Sequence, residues 1–154
     1  MPRIYLDSNI YIYGLHHLDS DSAYIIKECR RGTITVIQSD YLIEEVLSWH
    51  RRKLGKDWVG KASMLMVAFP NLNLIHKSEW MIQYPKWKDL VDDKDDIPHI
   101  CSYFAGSGDC FVTTNRKLSQ MKIGQHVAFQ SPEDFAKALP KYQSGDKTDD
   151  EFWW

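Results

Sequence analysis

Four oxygen-bearing side chains, far apart in the chain, are the ones that could do chemistry together: Asp7, Glu45, Asp96 and Asn115. Asp7 ends the apolar run Ile4-Tyr5-Leu6, where a carboxylate is costly to desolvate unless something compensates its charge. Glu45, with Glu44 beside it, lies just over one turn into a helical pattern that begins after Ser39. Asp96 closes Asp93-Lys94-Asp95-Asp96, and Asn115 follows a short apolar run by two residues. Converging carboxylates repel and raise one another's pKa, a penalty that a divalent cation removes. Mg²⁺ and Mn²⁺ prefer oxygen donors, and Mg²⁺ usually takes one or two carboxylates plus water and substrate phosphate. The chemistry such a site suits is phosphodiester hydrolysis: a metal acidifies its bound water, and no covalent nucleophile is needed.

Those residues converge only if the chain places them on one edge. Arg3 to Asp7 reads as a first strand, and the β-branched Thr33 to Ile37 as a second. Asn71 to Ile75, Cys110 to Thr113 and His126 to Phe129 supply three more. Between them, Asp19 or Ser20 caps a helix to about Arg31. Ser39 caps another to about Leu54, with Leu42, Val46 and Trp49 on its apolar stripe. Asp57 to Phe69 is helical, residues 76–92 read as a short helix and a loop, and Asp95 starts a helix with Pro98 in its first turn. Residues 116–121 make one or two helical turns, and Ser131-Pro132 opens a last helix to about Leu139. Alternating strands and helices imply parallel βαβ units, a sheet covered on both faces and strand carboxyl ends gathered on one edge.

With 154 residues, one domain is expected, over residues 1–142. Residues 143–154 depart in composition, with four acids and an aromatic end, and read as a polar tail. That tail reads as a disordered end or, as the competing hypothesis, as a segment that docks its aromatics on its own domain or a dimer mate while its acids approach Arg51, Arg52 and Lys53. The net charge of −2 carries no global signature of nucleic-acid binding, and His50-Arg51-Arg52-Lys53 is the densest basic cluster. It reads equally as a solvated helix end or a phosphate-contacting patch. Three widely spaced cysteines fit reduced thiols in cytoplasm. No run is long enough for a membrane span, and no secretory signal is expected.

Five motifs, in order, carry a family likeness: Leu6-Asp7-Ser8-Asn9; Ser39 with Glu45-Val46-Leu47; Asp93-Lys94-Asp95-Asp96-Ile97-Pro98; Asp109-Cys110-Phe111-Val112-Thr113-Thr114-Asn115; and Ser131-Pro132-Glu133-Asp134-Phe135. Together they resemble the PIN-domain ribonucleases, over about residues 3–139, and in particular the small toxins of VapBC-type toxin–antitoxin pairs. The resemblance implies a three-layer α/β/α sandwich with a central parallel sheet and an acidic pocket for Mg²⁺ or Mn²⁺. It makes Asp7, Glu45 and Asp96 the metal-holding acids and Thr113 a supporting hydroxyl, with Ser8 and Asn9 beside the first acid. Asn115 stands where many members carry a fourth Asp, which lowers the charge offered to a second metal. Asp93 is a further candidate for the metal's surroundings. The resemblance also implies an RNA substrate and a small antitoxin protein as partner.

Other residues divide between roles. Adjacent helix residues point about 100° apart, so only one of Glu44 and Glu45 faces a pocket; the family motif selects Glu45. Asp95 reads as a helix cap. His99 reads as a buried helix residue with its hydrogen bonds met. Arg116 and Lys117 divide evenly between phosphate contacts and ordinary surface charge. The six tryptophans suggest base stacking, but Trp49 reads as core or interface, and Trp80 and Trp87 as a dimer surface. A homodimeric metal-dependent ribonuclease is the leading expectation. A PIN-like module that binds RNA or protein with weak or no cleavage is the alternative, favoured by Asn115. A flap-type DNA nuclease is weakened by the lack of room for its arch.

Overall fold

The computed structural model describes residues 1–139, so the expected tail lies outside the described residues. Five strands, β1 (Arg3–Leu6), β2 (Thr35–Ser39), β3 (Leu72–Ile75), β4 (Cys110–Val112) and β5 (Phe129–Gln130), form one sheet in the order β3-β2-β1-β4-β5. Every pairing is parallel. The central β1 sets Ile4 opposite both Val36 and Cys110, and its last residues Tyr5 and Leu6 are fully buried. A strand with neighbours on both sides and helices on both faces has no polar face, which is why β1 is a continuous apolar run.

Helices α1 (Ser8–His16), α2 (Asp21–Arg30), α3 (Asp40–Lys53) and α4 (Lys56–Met66) connect the first three strands. Between β3 and β4 come α5 (Lys77–Trp80), α6 (Tyr84–Trp87) and α7 (Ile97–Ala105), then α8 (Lys117–Gln120) before β5 and α9 (Pro132–Ala138) after it. The chain runs outward through β2 and β3, then reverses to β4 on the other side of β1. Right-handed crossovers therefore put the connections on opposite faces and complete the α/β/α sandwich. The reversal between β1 and β4 is a topological switch point, the position where open α/β sheets bind ligands.

Local signals explain several boundaries. Ser20, Ser39 and Ser131 each accept a backbone N–H of the helix they precede. Gly55 (φ +95°) turns α3 into α4 in a conformation that side chains disfavour. At Gly14 a Cβ would stand 2.7 Å from Ile26 Cδ1, so the bare backbone lets α1 and α2 pack.

The structure adds one element and corrects four expectations. The apolar stretch after Asp7, to which the sequence assigned no element, is helix α1, whose Ile10, Tyr11, Gly14 and Leu15 are all buried. The last strand is Phe129–Gln130, because the His126 and Val127 N–H groups both turn back to Ile123 O (2.9 and 3.1 Å). Residues 76–92 are a chain of short helical turns rather than a helix and loop. Trp80 and Trp87 are inside the domain: Trp80 Nε1–H donates to Asp40 Oδ1 (2.9 Å), and Trp87 stacks on Phe104 (3.9 Å). On α3 the third buried stripe residue is His50, and Trp49 is only half-buried. Among the described residues no helix is long and apolar enough to cross a membrane.

Candidate functional site

Asp7 leaves β1 at the switch point, where its backbone N–H donates to Val112 O of the neighbouring strand (3.0 Å). It is also the N-cap of α1: Ser8 N–H donates to Oδ1 (2.7 Å), with Ser8 Oγ farther off at 3.4 Å. The helix amino end favours that negative charge. From the end of β4, the Thr113 hydroxyl donates to Asp7 Oδ2 (2.9 Å) and accepts Asn115 N–H (3.0 Å). Both carboxylate oxygens are thereby oriented, each with a lone pair left over.

Glu45 comes from α3, and its Oε1 accepts His99 Nε2–H at 2.8 Å. Glu44 is exposed and faces Arg51 at 3.7 Å, so the two neighbours point apart as helix geometry requires. Behind Glu45 runs a buried chain of hydrogen bonds. His99 Nδ1 lies 2.6 Å from the Tyr5 hydroxyl, which lies 3.2 Å from Ser39 Oγ, the cap of α3. A carboxylate only accepts, so Nε2 carries a proton and neutral His99 accepts Tyr5 O–H at Nδ1. Burial, with Asp7 and Glu45 close by, holds the Tyr5 hydroxyl well above its ordinary range, and it stays protonated.

Asp96 is the N-cap of α7 but makes no side-chain cap bond. Its pKa is pushed up to about 6, first by burial, then by the charges of Asp93 and Asp7, with Glu45 adding and His99 opposing. His99 is buried, which disfavours its charge, yet the Glu45 hydrogen bond and the Asp7, Glu45 and Asp96 carboxylates raise its pKa. Four acids and one imidazole from β1, α3 and the start of α7 thus share one electrostatic site. Asp95 does not cap α7; it is exposed, and its N–H donates to Asp93 Oδ1 (2.9 Å).

The other candidates make different contacts. Asn115 Oδ1 accepts Lys117 N–H (3.1 Å), so the amide oxygen expected near a metal is engaged at the start of α8. Arg116 and Lys117 are exposed, as are Arg51, Arg52 and Lys53 in the last turn of α3. Asn9 is exposed two residues beyond Asp7. Sequence reading missed the Tyr5–His99–Glu45 chain, whose members lie 94 and 54 residues apart and share no local spacing.

Among the described residues, no three His, Cys, Asp or Glu side chains stand as a complete ligand group for a metal. The donor set nevertheless fits a hard divalent cation. Asp7, Glu45 and Asp96 offer only oxygen, and Asp96 carries a charge penalty that a cation would remove.

No family model matches the sequence, and no curated protein matches it. The fold is similar to the crystal structure of VapBC2 from Rickettsia felis bound to a DNA fragment from their promoter. There the TM-score is 0.63 at 14% identity, covering 84% of this chain and 98% of that one. It is likewise similar to VapBC-1 from nontypeable Haemophilus influenzae, with a TM-score of 0.63 at 17% identity over 85% of this chain and 98% of that one. At such identities the likeness establishes the fold, which is PIN-like.

Proposed function

We propose that this chain is a divalent-metal-dependent endoribonuclease, the toxin of a toxin–antitoxin pair, with RNA as substrate and a small antitoxin protein as partner. One observation carries the reading: at the switch point of a parallel sheet the Asp7 and Glu45 carboxylates are held in place by Ser8, Thr113 and His99, beside Asp96, whose ionisation is opposed first by burial and then by Asp93, Asp7 and Glu45. A divalent cation would relieve that opposition, and perturbed acids of this kind gather at functional sites. The five sequence motifs and the likeness to two VapBC structures support the same reading.

Asp7, Glu45 and Asp96 would hold Mg²⁺ or Mn²⁺, with Asp93 and Asn115 at the margin. The ion would supply an acidified water and neutralise charge on the phosphate. The chain's own contribution is orientation. Ser8 N–H and the Thr113 hydroxyl lock the Asp7 carboxylate, and His99 braces Glu45 through Tyr5 and Ser39. Because Asp96 must release its proton to accept a cation, metal affinity should fall as the pH drops below about 6.

The test is RNA cleavage with Mn²⁺ or Mg²⁺, before and after exhaustive chelation, beside calorimetric titration of Mn²⁺. Cleavage that survives chelation overturns the metal mechanism. Mn²⁺ binding without cleavage favours the second reading, a PIN-like module that binds RNA without cutting, for which the engagement of Asn115 Oδ1 by Lys117 is the favouring observation.

A further inference from the structure

We propose that the groove between α1 and α3 is a nucleobase subsite, which takes one unpaired base of a single-stranded RNA beside the acid cluster. The inference rests on the ribonuclease reading for the identity of the polymer. A cavity of about 420 Å³ opens there, walled by Asn9, Tyr13, His16, His17, Trp49 and Thr114.

Three of those walls grow directly out of the acid site. Asn9 follows Asp7 by two residues in the first turn of α1. Thr114 follows Thr113, whose hydroxyl holds Asp7 at 2.9 Å. Trp49 follows Glu45 by four residues on α3, so it stands one turn along on the same face. A nucleotide whose phosphate meets the acids therefore has its base, or its neighbour's base, within reach of this cavity.

The lining suits a base. Tyr13 and His17 are exposed and stack on each other, with ring centroids 4.1 Å apart and planes 26° from parallel. Across the cavity Trp49 leans on His16 at 5.8 Å. Asn9 and Thr114 add amide and hydroxyl groups that can hydrogen-bond a base edge. Exposed Arg51, Arg52 and Lys53 follow Trp49 and His50 in the last turn of α3, placing cationic side chains within one turn of the cavity's Trp49 wall. Aromatic platforms along a basic track are how proteins hold single strands. A paired base stays inside its duplex and does not enter such a cavity, which selects loops and unpaired segments as substrate.

The experiment uses the full chain in chelator, so that no cleavage runs, and short labelled oligoribonucleotides read by fluorescence anisotropy. The set comprises one single strand, its duplex, and the strand with one abasic position at each site in turn. Tyr13→Ala combined with His17→Ala removes two exposed rings without touching the core. We expect about tenfold weaker single-strand binding by the double variant, and an unchanged salt slope because no phosphate contact is lost. One abasic position should cost the wild type a similar factor and cost the variant nothing further. The proposal is overturned by a variant that binds as tightly as wild type, by abasic penalties that are equal in both proteins, or by a duplex that binds as well as the single strand. It is also overturned if the variant keeps RNA affinity but no longer binds a co-expressed small protein, which would make the groove a protein-docking site. Base-dependent binding by a protein that never cuts with Mn²⁺ leaves the subsite standing and removes the ribonuclease reading. Cleavage that the double variant retains, with wild-type affinity, does the reverse.

Discussion

His99 and His16 both make an imidazole Nε2 hydrogen bond of nearly equal length, and both pack among aromatic rings, yet their pKa values move in opposite directions. His99 Nε2 faces the Glu45 carboxylate at 2.8 Å, and its ring lies against Tyr5 and Tyr41. His16 Nε2 faces His50 Nε2 at 2.9 Å, and its ring lies against Trp49 and Trp58. His99 is the more buried of the two, so burial alone would depress it further; its pKa is raised. His16 is only half-buried, and its pKa is lowered by that burial and by His50 and His17. At His99 the Glu45 hydrogen bond and the surrounding carboxylates overcome burial, whereas at His16 burial and the neighbouring imidazoles act in the same direction. One histidine belongs to a site that waits for positive charge, and the other to a neutral aromatic groove.

The largest break in that contrast comes at the acid side. Asp7→Asn keeps the shape and most hydrogen bonds but removes a charge, and should lower RNA cleavage by at least about a hundredfold. Undiminished cleavage would mean that Asp7 holds no metal. His99→Leu comes next. It strips Glu45 of its brace and leaves the Tyr5 hydroxyl without its imidazole partner, so about tenfold to a hundredfold of activity should go. About 1–3 kcal/mol of stability should go with it. His99→Gln can still donate to Glu45, and should recover activity more than it recovers stability. A variant pair that loses activity only in proportion to its unfolding would reduce His99 to packing.

Both regions were partly legible in the sequence. The caps Ser39 and Ser131 and the five parallel strands follow from local chemistry that the chain spells out in order. Helix α1 was hidden because Ile10 to Leu15 has apolar residues around much of its circumference, and no polar stripe marked its period. On α3, position 49 lies three residues from Val46 and position 50 four, and either spacing satisfies a helix. Hydrophobicity chose Trp49. The structure buries His50 instead, because its Nδ1–H reaches Val46 O at 2.8 Å and its Nε2 meets His16. The brace behind Glu45 depends on Tyr5, Ser39 and His99 meeting across three elements, which no linear spacing encodes.

A smaller effect sharpens the acid side without any activity measurement. An acid whose folded pKa is raised binds its proton more tightly in the folded state. Its share of stability is therefore intact below the unfolded value, near 4, and is lost as the pH rises through about 6. Above that pH, Asp96→Asn should stabilise the metal-free protein by about 1 kcal/mol, discounted because Asp96 is only half-buried. The gain should vanish at pH 4 and shrink when Mn²⁺ is added, since the cation offsets the same repulsion. Thermal melts at pH 4 and pH 7.5, with and without Mn²⁺, decide it; a gain that persists at pH 4 would point to packing.

The smallest effect lies on the aromatic side and runs the other way. His50 Nδ1–H donates to Val46 O, so its Nε2 accepts and His16 Nε2–H donates to it. His16 holds its proton less well folded than unfolded, so the unfolded state binds more protons as the pH falls below about 6.5. Its share of stability is full above that pH and is lost below it, where the cation is resisted by burial, then by His50 and His17. His99 works in the opposite window, with a share that is present below about 6.5 and lost as the pH rises through its elevated folded value. His16→Gln keeps an N–H donor for His50 and does not titrate. Between pH 7 and pH 5 the wild type should lose a few tenths of a kcal/mol relative to this variant, a figure kept small because much of the His16 ring reaches water. Above pH 7 the two curves should run parallel, both still carrying the His99 slope. Denaturant melts at half-unit pH steps resolve this. Curves that stay parallel down to pH 5 would show that His16 carries no proton-linked stability and that the aromatic groove is indifferent to charge.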